Sequence, residues 1–133
     1  MGSFAILVGC VLQLMIFCFP VSLLLLGFWV WAMATTCRRP EYADSNIMAG
    51  CLAKFLTPIG VLVAGAAFTD CGSDTVANMT GFGSILLHIG LSIFLFAKWP
   101  NALRAVFASL ALSGYMGLVA NFVASQAVIG IWL

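Results

Sequence analysis

Charge is what this sequence has least of. Five basic and four acidic side chains serve 133 residues, or 7% of the chain, where soluble domains carry about 25%. So little charge excludes a water-soluble surface, and a net charge of +1 excludes the basic face that nucleic acid demands. Histidine is confined to His88, so no haem held by two histidines of this chain can form. The acids Glu41, Asp44, Asp70 and Asp74 sit in two short connections, and none lies inside an apolar stretch. Small drug exporters of similar length rely on an acid in their first helix, and its absence here speaks against proton-coupled export by this chain alone.

The five cysteines form no C-x-x-C pair, and Cys10, Cys18 and Cys51 lie in apolar stretches, which leaves no dithiol or metal signature. GFG at 81–83 is too short for a nucleotide-binding fingerprint and follows no strand. No triad, metal cluster or phosphate loop can be assembled, so the expectation is that the chain is not an enzyme.

What is present is apolar: 64% hydrophobic residues and a mean hydropathy of +1.18. Four stretches, about 3–36, 47–68, 79–97 and 103–133, each reach the ~18–20 residues a helix needs to cross ~30 Å of hydrocarbon. Alternating strand patterns are missing, and backbone polar groups in lipid must be satisfied within their own segment. The expected fold is all-α: a single integral membrane bundle of four transmembrane helices. The first stretch exceeds one straight span and carries Pro20 near its centre, so it is read as one long helix kinked there. MGSFAILVGC lacks a basic n-region, against a cleaved signal peptide, and Ile6 breaks the myristoylation pattern.

Turn chemistry sets the boundaries. Pro40 discourages helix at Arg39, and Asp44, Ser45 and Asn46 offer N-caps for the second span. Asp70 and Gly72 form a stop, Asn78 or Thr80 can cap the third span, and Trp99-Pro100-Asn101 turns the chain into the fourth. Arg38, Arg39, Lys54, Lys98 and Arg104 all fall on one side, whereas TDCGSDTVAN (69–78) has acids and no base. The positive-inside rule then places these residues at the cytoplasmic, matrix or stromal interface and both termini opposite. Trp29, Trp31, Trp99 and Trp132 suit interfacial belts.

Helical spacing assigns faces. Ala105, Ser109, Ser113, Gly117, Asn121 and Ser125 recur every four residues, a ridge of small side chains that lets another backbone approach. Ser84, His88 and Ser92 repeat the device on the third span, and Gly60 with Ala64, and Ala53 with Thr57, on the second. His88 falls near the bilayer midplane, where an unpaired ring is expensive, and must have a partner: Gln13, Asn121, a hydroxyl, or a carbonyl freed near Pro20 or Pro58. The alternatives are an axial ligand to haem or chlorophyll and a proton-handling group. Lys54 is expected to snorkel back to the basic interface, with an ion or substrate pathway as the competing reading. Cys37 is a possible acylation site beside two arginines, and Asn78-Met79-Thr80 matches a glycosylation sequon close to the membrane.

GLSIFLFAKW (90–99), with Asn78 and Thr80 upstream, resembles the third span of small four-span proteins of the ciliary transition zone. The resemblance covers ten residues, and that family's internal termini disagree with the orientation argued from the cations. The function expected from the residues is a non-catalytic accessory subunit of a larger membrane complex. A respiratory or photosynthetic complex of a mitochondrial inner, thylakoid or bacterial inner membrane is the setting expected. Its partners would be other membrane subunits and lipids, with bound lipid or pigment filling gaps and no cofactor required. The rivals are a small homo-oligomeric transporter or channel using Lys54 and His88, and a four-span scaffold of a cell-surface or ciliary membrane.

Overall fold

The computed structural model describes residues 2–42 and 46–130, and every regular element among them is helical. The elements are α1 (Gly2–Phe17), α2 (Phe19–Cys37), a 3-10 turn (Pro40–Tyr42), α3 (Ile47–Ala53), α4 (Leu56–Ala67), α5 (Asp74–Lys98) and α6 (Leu103–Ile129). Four units are long and apolar enough to cross a membrane: α2, α3 with α4, α5, and α6; α1 is a shorter apolar helix. The expected caps Asp44 and Ser45, and Trp132, lie outside the described residues.

The one long helix expected from 3–36 is instead two, meeting at Cys18. Pro20 occupies the first turn of α2, where its missing N–H is no loss because helix-start donors are orphans anyway. The break frees the carbonyl of Met15, and the Ser22 hydroxyl donates to it at 2.9 Å while also pairing with the Tyr115 hydroxyl of α6 at 2.9 Å. A proline thus opens the ladder and a serine closes it, as lipid requires.

The second span is also interrupted. Pro58 cannot donate to Lys54, so Thr57 N–H takes the Lys54 carbonyl instead at 3.3 Å, and Phe55 N–H bonds Leu52 at 3.0 Å. These tight i→i+3 bonds separate α3 from α4 at Lys54 and Phe55. The third span begins at Asp74 rather than near 79: Ser73 accepts from Val76 N–H, so Ser73 is the cap, and Asn78 and Thr80 lie inside the helix.

Helix α6 touches each of the other five and is the axis of the bundle. The α1–α2 arm runs antiparallel to it: Leu7 packs near Ala124, Ser22 meets Tyr115, and Trp29 meets Ser109. At the far end of α6 the carbonyls of Ala127 and Val128 accept from the N–H groups of Asp70 (2.9 Å) and Gly72 (2.8 Å). Asp70 and Gly72 adopt positive φ to turn those donors inward, so the stop of the second span caps the fourth. Gly2, Asp70 and Gly130 therefore share one end of the bundle, and Arg38, Arg39, Lys98 and Arg104 the other.

The core has two apolar clusters. One, at the basic end, joins Met33, Ile47, Leu95, Trp99 and Val106; the other, at the acidic end, joins Leu7, Val11, Val61, Leu62 and Val123. Within the acidic-end cluster α4 and α6 come close enough that a Cβ on Gly65 would lie 3.0 Å from the Ala124 backbone and 2.7 Å from its methyl. Gly65→Ala is expected to lower stability by about 1–3 kcal/mol by overpacking, whereas Gly60→Ala, whose methyl meets nothing within 4 Å, is expected to be neutral. Equilibrium unfolding of both variants in bicelles reads the difference.

Candidate functional site

Between the apolar clusters lies a polar layer, and Lys54 is at its centre. The ammonium does not snorkel: Lys54 is 0% exposed, the largest fully buried side chain of the protein's described residues. The break between α3 and α4 explains this, because it puts Lys54 at the end of α3 facing α5 instead of the lipid. Its Nζ donates to the His88 carbonyl at 2.8 Å and to the Ser92 hydroxyl, and lies 3.3 Å from His88 Nδ1. Ser92 in turn donates to the same His88 carbonyl at 2.6 Å. An ammonium has three protons, and three acceptors surround this one.

His88 therefore finds its partner in Lys54, not in the Gln13, Asn121 or proline-freed carbonyls open to it from the sequence. With a cation donating to Nδ1, the imidazole proton belongs on Nε2. Nε2 lies over Gly114 of α6, 3.4 Å from where a Cβ would be. An axial haem or chlorophyll ligand needs the converse, a lone pair facing the metal and an N–H facing an acceptor. In the tautomer that a donating Lys54 ammonium favours, Nε2 carries the proton and presents no lone pair.

The remaining residues of the layer hold helices together. Trp29 Nε1 donates to Ser109 at 2.9 Å, tying α2 to α6, and Asn121 Nδ2 donates to Ser84 at 2.7 Å, tying α6 to α5. Ser109 and Ser113 are 0% exposed and Gly117 is buried, so the ridge on α6 faces the protein's own bundle. Ser84 and Ser92 lie on the narrow buried seam of α5 with Ala77 and Leu95. Four of the five cations expected at the interface are at the basic end: Arg39 lies 3.8 Å from Glu41, Lys98 sits over the rings of Phe94 and Trp99, and Arg104 sits over Trp31.

One residue of this layer carried no functional signal in the sequence beyond helical spacing. Thr57 is 3% exposed, and its hydroxyl has no hydrogen-bond partner among the described residues. It lines a cleft of about 240 Å3 together with Ser84, His88, Ser113, Gly114 and Asn121. Three consecutive breaks in regularity converge here: the α3–α4 discontinuity, the Lys54 cation and an orphaned hydroxyl. Comparison with protein families, curated proteins and solved structures finds no match to this chain.

The charge at Lys54 is held by dipoles alone, which sets the sign of two substitutions. Lys54→Met removes a desolvated cation and leaves Ser92 bonded to the His88 carbonyl, so it is expected to be neutral or stabilising. Ser92→Ala leaves the ammonium one acceptor short and is expected to destabilise by about 1–3 kcal/mol. Unfolding free energies of the two variants, measured in the same bicelles, should move in opposite directions.

Proposed function

We propose that this protein is a non-catalytic, multi-pass subunit of a larger membrane assembly, bracing neighbouring helices and lipids. The observation that carries this reading is how little of α2 and α5 the bundle itself covers: 17% of each spanning window is buried inside the protein. The α6 ridge is used internally, so docking falls to another surface. A groove between α4 and α5, lined by Gly60, Ala64, Thr80 and Gly83, presents small residues outward, and a Cβ at Gly60 or Gly83 meets nothing within 4 Å. Helices associate in lipid through such close-packing surfaces because the bilayer supplies no hydrophobic drive between them. The setting we favour is an energy-transducing membrane, with the basic end facing cytoplasm, matrix or stroma under the positive-inside rule.

The second reading is a small transporter or channel. The specific observation in its favour is Lys54, a buried cation beside His88 at a proline-broken helix, since intramembrane ionisable residues and discontinuous helices mark substrate pathways.

Mild-detergent extraction from the native membrane, followed by native electrophoresis and mass spectrometry, separates the two. Migration with a large complex is expected, and Gly83→Leu should shift the protein to a free band without lowering its own stability. A small homo-oligomer whose reconstituted flux is abolished by Lys54→Met would establish the transporter reading in its place.

A further inference from the structure

At the basic end of the bundle, the last turn of α2 and the first turn of α6 enclose a cleft of about 210 Å3, lined by Thr36, Arg39, Asn101, Ala102, Leu103 and Arg104. Polar atoms form much of its wall, and two arginines from different helices share it. A water takes up about 30 Å3, so the cleft has room for a phosphate group and a few waters. Its depth suits a lipid headgroup. The 27 residues of α6 rise about 40 Å at 1.5 Å each, close to the ~40–45 Å of a bilayer with its headgroups, which leaves Arg104 at the level of the lipid phosphates.

The donors in the cleft are uncommitted. The Arg104 guanidinium sits over Trp31, 5.8 Å from the ring centroid, a contact that places the side chain and uses none of its five N–H groups. Arg39 meets Glu41 only at 3.8 Å, and both side chains are exposed, so the pair is weak and open to competition. Helix α6 has no side-chain cap at Ala102, and the N–H groups of Leu103 and Arg104, both in the cleft wall, have no intrahelical acceptor. Thr36 is 3% exposed, and its hydroxyl bonds nothing among the described residues, yet it is not sealed off as that of Thr57 is. Two forked cations, a helix N-terminus and a hydroxyl select a multivalent oxyanion.

We infer that this cleft holds the phosphate of an anionic phospholipid from the leaflet at the basic end, with Arg39 and Arg104 on its oxygens and the start of α6 beneath it. The acyl chains descend over Leu103 and Trp31, which are exposed on the hydrocarbon side. Arg38 and Lys98 add positive charge at the same end, which favours a lipid of net negative charge over a zwitterionic one. The inference deepens the lipid-bracing part of the proposed role. Its test uses the isolated chain, so failure would leave docking in a larger complex untouched.

The full chain in neutral maltoside micelles is titrated with dioleoylphosphatidylglycerol, and separately with dioleoylphosphatidylcholine, and bound lipid per chain is read by native mass spectrometry. One phosphatidylglycerol per chain is expected, with phosphatidylcholine roughly tenfold weaker. Arg39→Gln and Arg104→Gln should each weaken phosphatidylglycerol about fivefold or more, the value of one basic residue near an anionic lipid. Arg38→Gln, which removes an adjacent cation outside the cleft wall, should cost less than twofold. Millimolar inorganic phosphate should leave the lipid in place, since it lacks the chains. Equal binding of the two lipids, equal losses from Arg38→Gln and the two cleft variants, or displacement by inorganic phosphate would each overturn the proposal, the last by showing a site for a soluble anion.

Discussion

A cation cannot be left bare in the middle of a membrane bundle, and the arrangement of the centre of this protein follows from that constraint. Lys54 has no carboxylate in any apolar stretch to pair with, so its proton donors must all end on dipoles: the carbonyl and ring nitrogen of His88 and the hydroxyl of Ser92. Ser92 and His88 are one helical turn apart, which lets a single turn of α5 supply the whole acceptor set. The contact joins the α3–α4 break to α5, and the tautomer assigned to His88 follows from it.

The two proline-broken spans use different remedies for the same problem. At Cys18 the freed Met15 carbonyl is recovered by a side chain, Ser22, which also reaches Tyr115 across the interface. At Lys54 the backbone recovers its own bond by tightening to i→i+3, and the twist this introduces aims the lysine inward. Both breaks lie within the polar layer between the two apolar clusters, where hydroxyls and amides stand ready to bond exposed backbone. Irregular backbone at membrane depth is tolerated where it is buried in protein, and α6 with its small residues provides that cover.

Much of the architecture was legible in the composition because lipid imposes strong and simple rules: length sets the number of spans, and turn residues bound the third connection near Trp99. The boundary of α5 was misplaced because hydropathy marks where lipid begins, whereas Ser73 starts the helix in the polar connection before it. The cap at Asp70 and Gly72 was readable as a stop, but not as a donor pair for α6, since that bond joins residues distant in the chain. His88 was recognisable as a residue needing a partner. The partner was not recognisable, because a lysine near a helix start is ordinarily free to reach the interface.

By itself the sequence determined the solvent, the helical class, the count of apolar stretches and the gathering of Arg38, Arg39, Lys98 and Arg104 at one end. These follow from local composition and spacing. Only the tertiary structure decided that the α6 ridge turns inward, that Lys54 is sealed against His88 and that Thr57 keeps an unanswered hydroxyl beside a cleft. The reason is physical: helices in lipid gain nothing from burying apolar faces, so which faces meet is settled by close packing and a few hydrogen bonds between segments. Periodicity along one segment carries no record of those contacts.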